Sequence, residues 1–133
     1  MSGRFIIYTD GCSKGNPGPA AIGAAFYRED ERQPATIISE EVGNLTNNQA
    51  EYRALIRALD HAVTANAAEV EVRSDSQLMV RQMNGSYRVK DLDLKPLYQE
   101  AKRLAGLIPR FSINYIPREL NRQADKLANL ALL

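Results

Sequence analysis

The feature that most constrains the fold is a run of apolar and β-branched residues that ends in an aspartate. Residues 5–9 read FIIYT, and Asp10 and Gly11 follow them directly. A segment rich in Gly, Pro and Asn, residues 15–19, then interrupts the run. This pattern is typical of a buried strand that carries Asp10 to its C-terminal edge. Open α/β sheets place their chemistry at that edge, so we expect the functional site there.

The composition limits the class of protein. The chain has 133 residues, 44% of them hydrophobic, and no apolar run long enough to cross a bilayer. We therefore expect one soluble globular domain over residues 1–133, with no membrane partner. The formal net charge of +1 excludes a protein that binds polyanions by charge alone.

The single cysteine and the start of the chain favour a reducing compartment. Cys12 cannot form an internal disulfide, and the first residues run straight into the predicted strand, which leaves no room for a signal peptide. We therefore expect a cytoplasmic protein. No histidine lies near Cys12 in the sequence, so we interpret it as a turn residue rather than a nucleophile. His61, the one histidine, falls in a helical pattern and is interpreted as structural.

The periodicity predicts an α/β protein with the element order β-β-β-α-β-α-α-β-α. Three antiparallel strands come first, and two further strands are reached through helices, which return the chain parallel. The result is a five-stranded mixed sheet with helices on both faces. The predicted elements are strands at 5–11, 20–27 and 36–42, a helix at 46–66, a strand at 70–74, helices at 78–83 and 94–107, a strand at 111–116, and a helix that begins after Asn121.

Four acids fall at strand ends or in the first turns of predicted helices. Each has an ordinary alternative: Asp10 in an Asp-Gly turn, Glu51 in a capping box after an Asn48 N-cap, Asp75 as the N-cap of the second helix, and Asp125 beside a helix dipole. In a parallel crossover, however, these positions share one end of the sheet. Four converging carboxylates repel one another and make physical sense mainly as a divalent-cation site. Because no Cys or His accompanies them, Mg²⁺ or Mn²⁺ is favoured over zinc.

Together, the segments that carry these acids resemble the four motifs of type 1 ribonuclease H. The motifs are YTDG at 8–11 with GNPG at 15–18, TNNQAE at 46–51, SDSQ at 74–77, and NRQADKLA at 121–128. The resemblance covers almost the whole chain and implies an endonuclease that hydrolyses the RNA strand of an RNA/DNA hybrid, leaving 5′-phosphate and 3′-hydroxyl ends. It also implies that Asp10, Glu51, Asp75 and Asp125 hold two Mg²⁺ ions, with Asp10 bridging them and Mn²⁺ as a substitute.

The same resemblance implies a set of substrate contacts. Short amides suit the reading of 2′-hydroxyls and base edges, because a 2′-hydroxyl both donates and accepts. Thr46 and Asn16 resemble a pocket that grips a phosphate of the DNA strand, while helix capping stays an alternative role for Asn47 and Asn48. The implied substrate-binding residues are Gly11, Cys12, Ser13, Asn16, Thr46, Asn47, Asn48, Gln49 and Gln77.

Two features depart from the pattern of many bacterial members. The loop at 115–120 lacks the histidine thought to assist product release, and we hypothesise that Arg118 or Glu119 takes over that role. The chain has no Trp and therefore no basic, Trp-rich protrusion, so we expect weak hybrid binding with a pronounced salt dependence. These departures resemble a compact subgroup, some of whose members also nick double-stranded RNA.

Alternatives remain open on the sequence alone. The chain could be a non-catalytic hybrid-binding module, although a repulsive acid cluster would then serve no purpose. It could also be a junction resolvase or a domain of a reverse transcriptase, although the Asn-rich set favours hybrids over junctions. Six basic residues are either a solvated face or a phosphate track. They are Arg81, Arg88, Lys90, Lys95, Lys102 and Arg103. We expect a monomer, since no apolar stripe demands a partner.

Overall fold

A computed structural model describes residues 3–29 and 31–133. Part of the predicted acidic tip at 28–32 and the first two residues lie outside this range. The predicted element order is confirmed, with one short 3-10 helix added at Arg118–Leu120. The elements are β1 (Arg4–Ser13), β2 (Gly18–Arg28), β3 (Thr36–Leu45), α1 (Asn47–Thr64), β4 (Glu69–Ser74), α2 (Gln77–Met83), α3 (Lys95–Ala105), β5 (Arg110–Tyr115) and α4 (Arg122–Leu130).

The predicted mixed sheet is confirmed and has the strand order β3-β2-β1-β4-β5. β2 pairs antiparallel with β1 and β3, whereas β4 pairs parallel with β1 and β5. The parallel pairing of β1 with β4 ends at Thr9 opposite Ser74. Asp10 and Asp75 are the residues that directly follow this last pair.

Helices cover both faces of the sheet, as predicted. On one face, Ile22 and Phe26 of β2 belong to the same buried core as Leu55 and Leu59 of α1. On the other face, a Cβ atom added at Gly23 would clash with the backbone of α4. A glycine is required at this position because α4 lies directly on the strand.

β1 extends further than the sequence predicted, and this corrects two interpretations. Asp10 and Cys12 both lie within the strand and pair with Gly23 and Ala21 of β2. Asp10 is therefore not part of an Asp-Gly turn, and Cys12 is not a turn residue. The reason is that the antiparallel partner β2 continues the pairing beyond the end of the β4 ladder and moves the turn to the residues between Ser13 and Gly18.

The helix caps also differ from the predicted ones. Thr46, not Asn48, is the N-cap of α1, and it forms a reciprocal capping box with Gln49. Ser76, not Asp75, caps α2 by accepting a hydrogen bond from the Met79 amide at 3.2 Å. Hydroxyls therefore meet the capping requirement at both helices, which leaves the carboxylates of Glu51 and Asp75 free for another role. None of the helices in the described part of the chain is long and apolar enough to cross a membrane.

Candidate active site

Three carboxylates converge at the C-terminal edge of the central strands. Asp10, Glu51 and Asp75 each offer an oxygen atom, and these atoms all lie within 4.8 Å of one another. They come from β1, from the first turns of α1 and from the residue after β4. Asp10 is only 6% exposed and Glu51 only 9% exposed. The predicted convergence of these three acids is therefore what the structure shows.

Glu51 points toward the sheet because α1 begins in direct contact with β1. A Cβ atom added at Gly11 would clash with the backbone of Ala50 and Glu51, so only glycine allows the helix this close. The Gly11 amide donates a hydrogen bond to Glu51 Oε1 at 3.1 Å. One glycine thus sets both the approach of the helix and the position of the carboxylate.

Burial and mutual repulsion make ionisation of this cluster costly. Burial, together with the charges of Asp75 and Asp125, raises the pKa of Asp10 from 3.8 to about 8. Burial and the charge of Asp10 raise the pKa of Glu51 well above its ordinary value. Burial also raises the pKa of Asp75, although a hydrogen bond from Asn121 and the charge of Arg118 oppose this. An oxygen-only set of crowded acids is the arrangement that a hard divalent cation stabilises.

The carboxylates open into a cavity of about 300 Å³. Asp125 of α4 lines this cavity and lies close enough to Asp10 to raise the pKa of Asp10, but it is outside the three-residue group. Arg118 also lines the cavity and brings a positive charge toward Asp75. Glu119 is exposed and is not among the lining residues. The lining consists of Asp10, Gly11, Cys12, Asn47, Glu51, Asp75, Tyr115, Arg118 and Asp125.

Tyr115 is a cavity residue that the sequence analysis missed. It ends β5, where it pairs with Ser74, and it is 44% exposed. No local motif marks it, and only the register of β4 with β5 brings it beside Asp75. An exposed aromatic ring at this rim offers a stacking surface for a nucleotide base.

Asn121 is a second residue whose role the sequence analysis missed. It occupies the predicted N-cap position of α4, but its side chain makes no capping hydrogen bond. Instead, its amide donates to the Thr9 carbonyl oxygen and to Asp75 Oδ2. The prediction of the helix start is confirmed, whereas the expected capping by the side chain is wrong.

The residues predicted to contact substrate form a polar rim beside the cavity. Asn47 Oδ1 accepts a hydrogen bond from the Ser13 amide at 2.9 Å, and Asn16 Oδ1 accepts one from the Asn47 amide at 2.9 Å. These contacts hold the β1–β2 turn against the start of α1. Asn48 and Gln77 are exposed at the first turns of α1 and α2.

Thr46 and Gln49 bond to each other in the capping box, so their polar atoms already serve the helix. Some residues of the polar rim therefore support the fold, whereas Asn48 and Gln77 present exposed amides.

Cys12 lines the cavity, but its surroundings do not activate its thiol. Burial raises the pKa of the Cys12 thiol, which opposes formation of a nucleophilic thiolate. His61 is half-buried on α1, with its ring centroid 4.9 Å from that of Phe26. Its role is packing.

Two of the basic residues after β4, Arg88 and Lys95, line a separate cleft of about 640 Å³ together with Tyr87. Arg81 stacks on the Tyr87 ring and donates to its hydroxyl oxygen at 2.6 Å. The six predicted basic residues are all exposed, but two more of them, besides Arg81, already have partners. Arg103 pairs with Glu100, and Lys102 donates to the Met83 carbonyl oxygen.

Comparison with known proteins gives consistent matches over almost the whole chain. A family model described as "Reverse transcriptase-like" matches residues 8–131. A bifunctional protein of Mycobacterium tuberculosis is 43% identical over 129 residues, which is 97% of this chain and 35% of that protein. A ribonuclease HI of Halobacterium salinarum is 42% identical over 133 residues, which is 98% of this chain and 65% of that protein. The chain thus spans about a third of the length of the mycobacterial relative and somewhat under two thirds of the halobacterial one.

Solved structures agree with these matches. The crystal structure of RNase H1 from Halobacterium salinarum superposes with a TM-score of 0.94 at 42% identity and covers 98% of each chain. The structure of LC11-RNase H1, isolated from compost, in complex with an RNA/DNA hybrid gives a TM-score of 0.90 at 43% identity. The alignment covers 96% of this chain and 95% of that chain.

Proposed function

Because this chain belongs to the type 1 ribonuclease H family, we propose that it is an endoribonuclease that hydrolyses the RNA strand of RNA/DNA hybrids. The observation that carries the proposal is the convergence of Asp10, Glu51 and Asp75 within 4.8 Å at the edge of the sheet. A protein that only bound hybrids would have no use for buried acids that destabilise its fold. The structure of a relative in complex with an RNA/DNA hybrid supports the choice of substrate.

The ribonuclease H family is metal-dependent, and we propose Mg²⁺, with Mn²⁺ as a substitute, as the cofactor of this chain. We propose two ions, which the carboxylates of Asp10, Glu51, Asp75 and Asp125 would hold. When bound, ions in such a site activate a water for in-line attack on phosphorus and stabilise the departing 3′-oxygen. The residues fit such ions, because every donor is a carboxylate oxygen and a bound cation would offset the burial and repulsion that raise the pKa of Asp10 and Glu51.

The chain's own residues would prepare the site before substrate binds. The hydrogen bond from the Gly11 amide holds Glu51 in place, and the charge of Arg118 favours the ionised form of Asp75. After cleavage the products would carry 5′-phosphate and 3′-hydroxyl ends. We propose that Arg118, rather than Glu119, assists release of the cleaved phosphate, because Arg118 lines the cavity and Glu119 does not.

We propose that the polar rim reads the hybrid in its minor groove. Exposed Asn48 and Gln77 are available to contact 2′-hydroxyls and base edges. Backbone contacts from Gly11, Cys12 and Ser13 would have to use groups other than the Gly11 and Ser13 amides, which already donate to Glu51 and Asn47. Asn16 and Thr46 would contact a phosphate of the DNA strand, with Asn47 and Gln49 beside them.

The basic cleft around Arg88 and Lys95 would neutralise further phosphates. Because contacts between these cations and phosphates are ionic, binding of the hybrid should weaken as salt is raised from 50 to about 200 mM. A salt-insensitive dissociation constant would contradict this part of the proposal.

We also propose that residues 1–133 act as one catalytic domain and that the chain is a monomer. Additional cleavage of double-stranded RNA is proposed from the resemblance to the compact subgroup. A cytoplasmic location stays a prediction of the sequence.

The test is a gel assay of end-labelled RNA in three forms: single-stranded, paired with DNA and paired with RNA. Each form is incubated with Mg²⁺ or Mn²⁺, beside Asp10→Asn as a control and a DNA junction as a fourth substrate. We expect the hybrid to be cut, the single strand to stay intact, and the variant to be inactive. Cutting of the RNA duplex as well would establish the broader specificity. Cutting of the junction alone would favour a resolvase, and no cutting under either metal would favour a binding module.

A further inference from the structure

Asn121 has no role in the mechanism proposed above, yet its side chain contacts the Asp75 carboxylate from outside the cavity. It is only 1% exposed and is not among the residues that line the cavity. Its Nδ2 donates to the Thr9 carbonyl oxygen at 2.9 Å and to Asp75 Oδ2 at 3.3 Å. Thr9 directly precedes Asp10, so one amide joins the strand that carries Asp10 to the carboxylate of Asp75.

The backbone of Asn121 joins two further parts of the site. Its amide donates to the Arg118 carbonyl oxygen at 2.9 Å, and its carbonyl oxygen accepts from the Asp125 amide at 3.1 Å. Asn121 therefore contacts β1, the residue after β4, the 3-10 helix and the first turn of α4. No substrate can reach its buried side chain, so any influence on the reaction must act through these neighbours.

The orientation of the Asn121 amide is determined by its partners. A carbonyl oxygen and a carboxylate oxygen can only accept, so the NH₂ group must face them. Asn121 Oδ1 is then buried without a hydrogen-bond partner among the described residues. An unsatisfied buried oxygen is destabilising, and the side chain does not recover this by capping α4. The bond to Thr9 joins α4 to β1, and the contact with Asp75 is the one by which this side chain reaches the carboxylate site.

We propose that Asn121 is a positioning residue that holds the Asp75 carboxylate in the orientation needed to bind a divalent cation. A hydrogen bond to a metal-binding carboxylate restricts its rotation and favours its charged form. The bond to the Thr9 carbonyl oxygen keeps the Asp75 carboxylate beside Asp10. The backbone hydrogen bonds of Asn121 keep Arg118 and Asp125 at the same edge of the sheet. The proposal rests on the proposed function, since it concerns the cation site of that reaction.

The first test measures Mn²⁺ binding to Asn121→Ala through the electron paramagnetic resonance signal of free Mn²⁺. We expect the dissociation constant to rise about 10- to 100-fold, the range typical for loss of a group that orients a metal ligand. The KM for hybrid at saturating Mn²⁺ should stay within about twofold of wild type, because the residue is buried. Asn84→Ala is the matched control: its amide also donates to a strand carbonyl, that of Ile113 at 3.0 Å, but it does not line the cavity. It should bind Mn²⁺ as wild type does.

Two further variants separate positioning from mere folding. Asn121→Val fills much of the same space but has no hydrogen-bond donor and adds no charge, so it should also bind Mn²⁺ more weakly. Asn121→Ala combined with Asp75→Asn should bind no more weakly than Asp75→Asn alone, because the effect passes through Asp75. A folded Asn121→Ala or Asn121→Val protein that binds Mn²⁺ as tightly as wild type would overturn the proposal. A wild-type protein that binds Mn²⁺ but cleaves no hybrid would overturn the proposed function, while the variants would still decide the role of Asn121.

Discussion

Replacing Asp10 with Asn should stabilise the metal-free protein at neutral and alkaline pH. The Asp10 carboxyl is 6% exposed, and burial raises its pKa from 3.8 to about 8, with the charges of Asp75 and Asp125 adding to the effect. Forcing this group to ionise in the folded state therefore costs free energy. Asparagine has nearly the same shape but carries no charge, so it removes that cost.

The sign of the pH dependence follows from the two pKa values. Between about pH 4 and pH 8, the unfolded chain has released the proton of Asp10 while the folded protein still holds it. The free energy of unfolding therefore falls as the pH rises through this range, and the whole cost is present above pH 8. At about 1.4 kcal/mol per pKa unit, the upper limit is on the order of 6 kcal/mol. Because Glu51 shares the same burial and repulsion, we expect Asp10→Asn to recover about 2 to 4 kcal/mol.

The assay is urea unfolding of wild type and Asp10→Asn in a chelator at several pH values from 4 to 8. The variant should be more stable at pH 8, and the difference should shrink toward zero near pH 4. Asp60→Asn, which changes an exposed acid on α1, should show no such trend. Equal stability of wild type and Asp10→Asn across the range would refute the argument from a buried, crowded carboxylate.

Three further predictions concern the metal, the loop and the packing of α4. Millimolar Mg²⁺ should raise the Tm of wild type by several degrees through linkage and raise that of Asp10→Asn much less, as read by calorimetry; an equal rise in both would count against a shared cation site. Arg118→Ala should lower the kcat for hybrid cleavage severalfold, whereas Glu119→Ala should keep a kcat near that of wild type. An unchanged steady-state kcat in Arg118→Ala would contradict the proposed role of Arg118 in product release. Gly23→Ala should cost about 3 kcal/mol or more in urea unfolding, since its Cβ meets the α4 backbone. Gly3→Ala, whose nearest neighbour lies at 3.8 Å, is its control, and similar losses in both would contradict the packing.

The element order could be predicted because strong local signals separate the elements. Gly, Pro and Asn clusters mark the turns, and the apolar period changes clearly from strand to helix at Thr46. The convergence of Asp10 and Asp75 was also predictable, because neighbouring parallel strands end at the same edge of a sheet. The register places both residues directly after the last paired residues, Thr9 and Ser74. Local patterns and one topological rule were sufficient for these features.

The caps and the contacts behind the site could not be predicted in the same way. Thr46 competes with Asn48, and Ser76 with Asp75, for a capping role that several polar residues within two positions can fill. The bond from Asn121 to Thr9 joins residues 112 positions apart, so no local pattern contains it.

Tyr115 reaches the cavity only through the pairing of β5 with β4. Such contacts depend on how distant segments pack, and the sequence pattern of each segment does not encode that.

The most direct test of the central claim measures hybrid binding and hybrid cleavage on the same samples of wild type and Asp10→Asn. We predict that both proteins bind the hybrid in the presence of Mg²⁺, because the polar rim and the basic cleft are unchanged. Only wild type should cleave it, because the variant lacks a carboxylate of the converged site. Cleavage by Asp10→Asn at the wild-type rate would contradict the claim that this carboxylate cluster is the active site.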